Sequence, residues 1–309
     1  MTESVSIVYV NYHCEDLISR SLDSLLKDPL KPSAEIFVVD NGSAKTEDFW
    51  DSQPIIHLKS PGNPGFGIAC NIGAARSKGD FILFLNPDTI PDPAVIDALV
   101  EHLAMHPEAS ACGPALVGMG GTPQVYWNFH HILSWELAEA LYLQGTWRKV
   151  YEHRMERRYG RKQAWPVSFV SGACLLVRRT AFDAVGGFDE RFFMNFEDFE
   201  LCRRLEKLGH VHYLPWLKMV HEEGSVQRAN WGDFVFFRLQ AHLTYLDIAY
   251  LGPRWILARA ILLKAILLRL IWGRISLRGD ARTRLEGYRK ALALAVGLQA
   301  DQKTGKRER

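Results

Sequence analysis

The sequence predicts an α/β fold: a mostly parallel sheet flanked by helices, followed by a C-terminal helical extension. Short apolar runs alternate with helical stretches through the first half of the chain, the order of a βαβ arrangement. Those runs lack polar alternation, as expected of strands buried on both faces. Polar residues then appear where the runs stop, at the strand ends where sheets of this kind hold their ligands.

The elements follow in order. SIVYVNY reads as a strand, residues 15–27 as a helix, and EIFVVD and IIHL as two further strands. A helix near 67–77, the strand FILFLN, a helix near 93–105 and the strand ACGPALV continue the pattern. Asn11 closes the first apolar run, Asp40 and Asn41 the second, and Asn86 and Asp88 the fourth. Residues 119–166 break the rhythm with Trp127, Trp135, Trp147 and Trp165 among glycine, histidine and a basic run, which marks an insertion or helical subdomain. VSFVSGACLLV reads as one more strand, a helix starts near Asp198 and ends at Gly209, and strands near 211–220 complete the globule.

With 309 residues and 48% apolar composition, the chain has enough material for one large domain, taken as residues 1–250, and an appendage, residues 251–309. The net charge of +2 hides an asymmetry: residues 251–309 carry 14 Lys and Arg against 4 Asp and Glu, which points to an anionic partner for the tail. Five cysteines, Cys14, Cys70, Cys112, Cys174 and Cys202, form no CxxC pair and read as reduced core residues of a cytosolic protein. No basic stretch precedes a helical apolar core at the N-terminus, so a secretory signal is not expected.

Individual motifs suggest chemistry. Asp40 in VVDNGS suits a hydrogen bond to a nucleotide base or ribose, and equally suits an Asx turn. SPGNPGFGIACNIGAA sets glycines before a helix, which suits close backbone approach to a ligand. It fails as a dinucleotide fingerprint, because Gly65-x-Gly67 is followed by Cys70 and the loop follows the third strand, which argues against hydride transfer. Asn86 and Asp88 in LNPD have a spacing that suits a hard divalent ion. Glu197, Asp198 and Glu200 complement a helix N-terminus, and a carboxylate there is also placed to serve as a general base. His221 ends an apolar run, as a structural imidazole or as a metal ligand.

Together, in this order, these segments resemble the family 2 glycosyltransferases of the GT-A fold, and the bacterial rhamnosyltransferase-like members in particular. The similarity covers residues 4–225 and rests on VVDNGS, GNPGFGIACNIGA, LNPD, SGACLLVRRTAFDAVGGFDERFF and FEDFEL occurring jointly. It implies an inverting, metal-dependent transferase with Asp198 as catalytic base. Asp88 would stand at the metal-binding DXD position, with His221 as a further ligand to Mg²⁺ or Mn²⁺. The first DXD position is Asn86, which removes a charge. The resemblance implies that Asp40 contacts the pyrimidine, and that Asn11, Asn41, Gly65, Asn71, Asn86 and Glu197 belong to the nucleotide-sugar side. The expected donor is dTDP-rhamnose, with UDP-GlcNAc or UDP-galactofuranose as alternatives. The acceptor is a surface polysaccharide or a polyprenyl-diphosphate-linked saccharide, and the tryptophan-rich insertion is where it is sought. A carbohydrate-binding protein without catalysis could lose Asp88, Asp198 or His221, and all three are present.

The segment GPRWILARAILLKAILLRLIWGRISLRG is apolar but carries Arg259, Lys264 and Arg269, so an interfacial helix is expected in place of a spanning one. Their five-residue spacing advances about 140° per step and scatters the cations around the helix. The basic excess favours an anionic membrane surface over nucleic acid, and the same helices suit a homodimer. The location expected is cytoplasmic, peripheral on the inner face of the plasma membrane.

Overall fold

The computed structural model describes residues 3–43, 50, 53–124, 127–128, 133–222, 231–275 and 281–297. The first half follows the expected order: β1 (Ser4–Asn11), α1 (Glu15–Leu25), β2 (Ser33–Asp40), β3 (Ile56–Lys59), α2 (Phe66–Arg76), β4 (Phe81–Leu85), β5 (Thr89–Ile90), α3 (Pro93–Met105) and β6 (Ala109–Val117). Next come β7 (Trp127–Asn128), α4 (Leu133–Ala140), α5 (Gln144–Tyr159), β8 (Trp165–Val167), β9 (Phe169–Val170), β10 (Cys174–Arg178), α6 (Arg179–Val185), α7 (Glu197–Leu205) and β11 (His210–His221). Three helices end the described chain: α8 (Trp231–Ala249), α9 (Gly252–Ile275) and α10 (Ala281–Ala295).

The chain forms two compact units, one of residues 1–130 and 148–226, the other of residues 131–147 and 227–309. This differs from a division at residue 250, because α8 and α4 each belong with the C-terminal helices. The reason is apolar: Val235, Leu239, Leu243 and Leu246 of α8 are buried in one cluster with Ala258, Leu262 and Ile266 of α9 and Ala291 of α10.

In the first unit the sheet runs β3-β2-β1-β4-β10-β6-β11-β5, with β8 on β11. It is parallel from β3 to β4, whereas β10 lies antiparallel between β4 and β6. The sheet is therefore more mixed than the βα rhythm suggests. The chain leaves β6 at its carboxyl end, makes the excursion through α4 and α5, and returns beside the carboxyl end of β4, where Cys174 pairs with Leu85. A strand entering there must run back against its neighbours. The stretch VSFVSGACLLV is accordingly two strands, β9 and β10, separated by a turn at Ser171-Gly172-Ala173.

Both sheet faces are covered, which is why the parallel strands lack polar alternation. Val5, Ile7 and Tyr9 of β1 pack with Ile18 and Leu22 of α1 and Leu99 of α3, while Val8 and Val10 pack on the other face with Ala69 and Ala74 of α2. Helix α3 begins as its sequence dictates: Asp92 accepts a hydrogen bond from the Ala94 N–H at 2.9 Å, with Pro93 in the first turn. All five cysteines are buried free thiols, as expected of core residues.

Phe188, in the loop between α6 and α7, fixes that loop to the core. It is fully buried, meets Phe84 edge-on at 4.8 Å between ring centroids and also contacts Phe182 and Phe66. Phe188→Ala is expected to lower unfolding free energy by about 3–5 kcal/mol, read as a drop in urea midpoint at unchanged slope.

Candidate active site

The parallel register sets the first part of the site. Asn11 and Asp40 are direct partners at the carboxyl ends of β1 and β2. Asp40 is buried and its Oδ1 accepts from the Ser43 N–H at 2.9 Å. The Asn11 amide binds Glu15 Oε1 at 3.0 Å and Ser43 Oγ at 3.2 Å. Asn41 donates to Asn63 Oδ1 at 2.8 Å and accepts from Ser60 Oγ at 3.0 Å, tying the β2 and β3 exits together. These three residues form one polar rim.

Asn86 and Asp88 follow β4 directly, and β5 then pairs antiparallel with the end of β11, placing Thr89 opposite His221. That pairing brings His221 Nε2 to 3.2 Å from Asp88 Oδ1, both side chains buried. Gln124, which the motifs do not single out, orients the imidazole. Its Oε1 lies 3.0 Å from His221 Nδ1 and its Nε2 donates to the His221 carbonyl at 3.0 Å. An amide oxygen only accepts, so Nδ1 carries the proton and Nε2 is the nitrogen turned to Asp88. Among the described residues no third His, Cys, Asp or Glu completes a metal cluster. A carboxylate oxygen and an imidazole nitrogen at this separation fit a divalent ion.

The third part is the acidic pair opening α7. Asp198 Oδ2 accepts from the Gly172 N–H and Oδ1 from the Phe199 N–H, each at 2.8 Å. A Cβ on Gly172 would lie 3.2 Å from the Asp198 Cβ, so a side chain there would push the β9–β10 turn and the carboxyl apart by a few tenths of an ångström. The next residue, Ala173, accepts from the Asn86 N–H at 3.1 Å, so one turn links the carboxylate to the Asn-Pro-Asp segment. Glu197 is buried and its Oε2 has no hydrogen-bond partner. Burial, and then the charge of Asp198, push the Glu197 carboxyl up to about 8. Burial also raises Asp198, against the pull of its backbone N–H bonds. Those bonds oppose the effect of burial at Asp198, whereas at Glu197 the neighbouring charge of Asp198 adds to it.

The backbone before the pair is unusual. Asn195 and Phe196 both occupy left-handed conformations, at φ 69° and 65°, and the buried Asn195 Nδ2 has no partner. Local strain with unpaired polar atoms is characteristic of a site that a ligand completes.

Two expected residues serve architecture here. Gly65, at φ 114°, caps α2 where the Phe193 carbonyl would lie 2.5 Å from any Cβ, and Phe193 accepts from the Phe66 N–H at 2.9 Å. Asn71 holds Phe188 from both sides: its Oδ1 accepts from the Phe188 N–H at 2.8 Å and its Nδ2 donates to the Phe188 carbonyl at 2.9 Å. Of the tryptophans, Trp165 is in the core of the first unit, bonded to the Gly160 carbonyl, while Trp135 and Trp147 pack on each other in the second. The side chain of Trp127 lies outside the described residues. A groove of about 640 Å³ lies at the amino end of β2, the opposite end from Asp40.

A sequence profile described as Glycosyl transferase family 2 matches residues 6–186. The chain belongs to this family. Among relatives, the N-acetylglucosaminyl-diphospho-decaprenol L-rhamnosyltransferase of Mycobacterium tuberculosis is 31% identical over 247 residues, covering 72% of this chain and 77% of that protein. Rhamnosyltransferase WbbL of Escherichia coli K12 is 25% identical, over 78% of this chain and 92% of that one. The fold is that of the GT-A glycosyltransferases. A mannosyltransferase from Pyrobaculum calidifontis, solved with GDP-Man and Mn²⁺, matches with a TM-score of 0.59 at 16% identity, covering 95% of this chain and 87% of that one. TarS residues 1–349 of S. aureus, solved with UDP-GlcNAc, matches at 0.54 and 16%, covering 95% and 92%.

The buried acid gives this glycosyltransferase a pH signature. Because folding raises the Glu197 carboxyl from 4.5 to about 8, it favours the protonated form, and its contribution to stability falls as pH rises through that window. Glu197→Gln keeps the shape and removes the titration. Its melting temperature is expected to exceed that of the wild type by a few degrees at pH 9 and to converge with it at pH 5.

Proposed function

We propose that this family 2 glycosyltransferase moves L-rhamnose from dTDP-rhamnose, with inversion, to a saccharide carried on a polyprenyl diphosphate. The observation that carries the reading is the Asp198 carboxyl held by the N–H groups of Gly172 and Phe199 beside the buried Glu197, whose Oε2 has no hydrogen-bond partner. Two relatives are rhamnosyltransferases, which supports the transferred sugar, and the one from M. tuberculosis is an N-acetylglucosaminyl-diphospho-decaprenol L-rhamnosyltransferase, which supports the lipid-linked acceptor.

The chemistry follows from the residues. Asp198 accepts the proton of the acceptor hydroxyl as that oxygen attacks the anomeric carbon from the face opposite the leaving diphosphate. A single displacement inverts the centre, and no enzyme nucleophile is needed. Asp40, with Asn11 and Asn41 on the same rim, suits the base and ribose of the nucleotide. Asp88 and His221 would hold Mg²⁺ or Mn²⁺, which when bound neutralises charge on the departing diphosphate. Asn86, which lacks a charge, fixes the turn that orients Asp88. The same reading puts the protein in the cytoplasm, peripheral on the inner face of the plasma membrane.

The reading is tested by assaying dTDP-rhamnose, UDP-GlcNAc and UDP-galactofuranose with a diphosphate-linked GlcNAc acceptor, with Mn²⁺ or with chelator. Turnover with dTDP-rhamnose and Mn²⁺ is expected, and transfer from a UDP-sugar alone would overturn the donor assignment. Asp198→Asn should lower kcat about a hundredfold to ten-thousandfold while the donor KM stays within about twofold. Near-normal turnover would remove Asp198 from the role of base. Gln124→Ala should weaken the apparent Mn²⁺ affinity about tenfold at saturating donor, because the His221 ring loses its orienting partner.

A further inference from the structure

The second unit carries an apolar surface that the residue pattern alone obscures. Five cations, Arg254, Arg259, Lys264, Arg269 and Arg274, fall along α9 in the sequence, and their positions around the helix suggest that no clean apolar face exists. Tertiary contacts change that. Arg259 pairs with Asp247 at 2.7 Å and stacks on Trp255 at 4.9 Å, and Arg269 stacks on the Tyr142 ring at 5.2 Å. Both guanidinium groups are thus engaged within the unit, on the side of α9 that carries the buried Ala258, Leu262, Ala265 and Ile266.

On the opposite side, Ile256, Leu257, Leu267 and Ile271 are exposed at 62%, 50%, 48% and 57%, with exposed Ala260 between them. Their intervals place them on one stripe about 100° wide and roughly 22 Å long, at 1.5 Å and 100° per residue. Lys264 is the exposed cation within that stripe. Such a stripe on a described helix needs an explanation, since isolated exposed leucines are ordinary but a continuous row is not. Among the described residues no helix is long and apolar enough to cross a membrane.

We infer that this outward stripe of α9 lies in the interface of an anionic bilayer, as the surface by which the protein docks on its membrane. Charge complementarity selects that occupant. Residues 251–309 carry 14 Lys and Arg against 4 Asp and Glu, so the segment bearing the stripe is attracted to acidic headgroups while the stripe enters the acyl boundary. A second copy of the chain would bring the same positive charge against itself. The inference deepens the proposed function, and rests on it only for the reason a membrane-bound acceptor would be met there.

The test uses the full chain with vesicles of equal parts phosphatidylglycerol and phosphatidylcholine, and with vesicles of phosphatidylcholine alone. Cosedimentation with the anionic vesicles, weakened by salt, is expected. The pair Leu267→Glu and Ile271→Glu should reduce partitioning about tenfold or more, and the separate variant Ile256→Gln should reduce it less, with circular dichroism unchanged. Transfer to a water-soluble acceptor should stay at the wild-type rate in all variants, so failure of docking is distinguishable from failure of the catalytic reading. Undiminished partitioning of folded variants would overturn the inference. So would a concentration-dependent dimer that the same substitutions abolish.

Discussion

One short turn holds the candidate active site of this protein together. Gly172 donates its N–H to Asp198, Ala173 accepts the N–H of Asn86, and Cys174 begins the strand that pairs back against β4. Helix α7 and the Asn-Pro-Asp segment are far apart in sequence, and this turn fixes both to the same strand end. Hydrogen bonds to a charged group contribute about 1.5–3 kcal/mol each, enough to fix a carboxylate against the entropy of its side chain. The antiparallel direction of β10 is part of the same constraint. Were β10 parallel to β4, its first residues would lie at the far end of the sheet from Asn86.

Around that turn the site retains features that a purely structural arrangement would remove. Two successive non-glycine residues are left-handed, Asn195 Nδ2 and Glu197 Oε2 are buried without partners, and two carboxyls are adjacent in sequence. Each costs stability, and such features cluster where a ligand completes the structure. Electrostatics sets the two carboxyls apart. Burial raises both; the N–H groups of Gly172 and Phe199 oppose it at Asp198, and the charge of Asp198 adds to it at Glu197.

The second unit shows a related effect on a surface. Arg259 and Arg269, which look disruptive along α9, are drawn into contacts with Asp247, Trp255 and Tyr142, and the face left outward is apolar apart from Lys264. Amphipathicity in this helix is therefore a property of the folded unit, since local periodicity treats every arginine as exposed.

The sequence by itself determined the order of elements, the burial of the strands on both faces and the polar residues at their carboxyl ends. These are local, because helix and strand periods are written over ten or so residues. The joint occurrence of its motifs likewise determined the family. Only the tertiary structure decided that Asp88 meets His221, that Gln124 sets the imidazole tautomer, and that Gly172 cradles Asp198. It also decided that Asn71 holds Phe188, that Trp165 belongs to the core, and that α4 and α8 join the C-terminal helices. The physical reason is distance along the chain: these contacts depend on which strand lies beside which, and in which direction. That choice is made by the burial of whole faces, and no single segment encodes it.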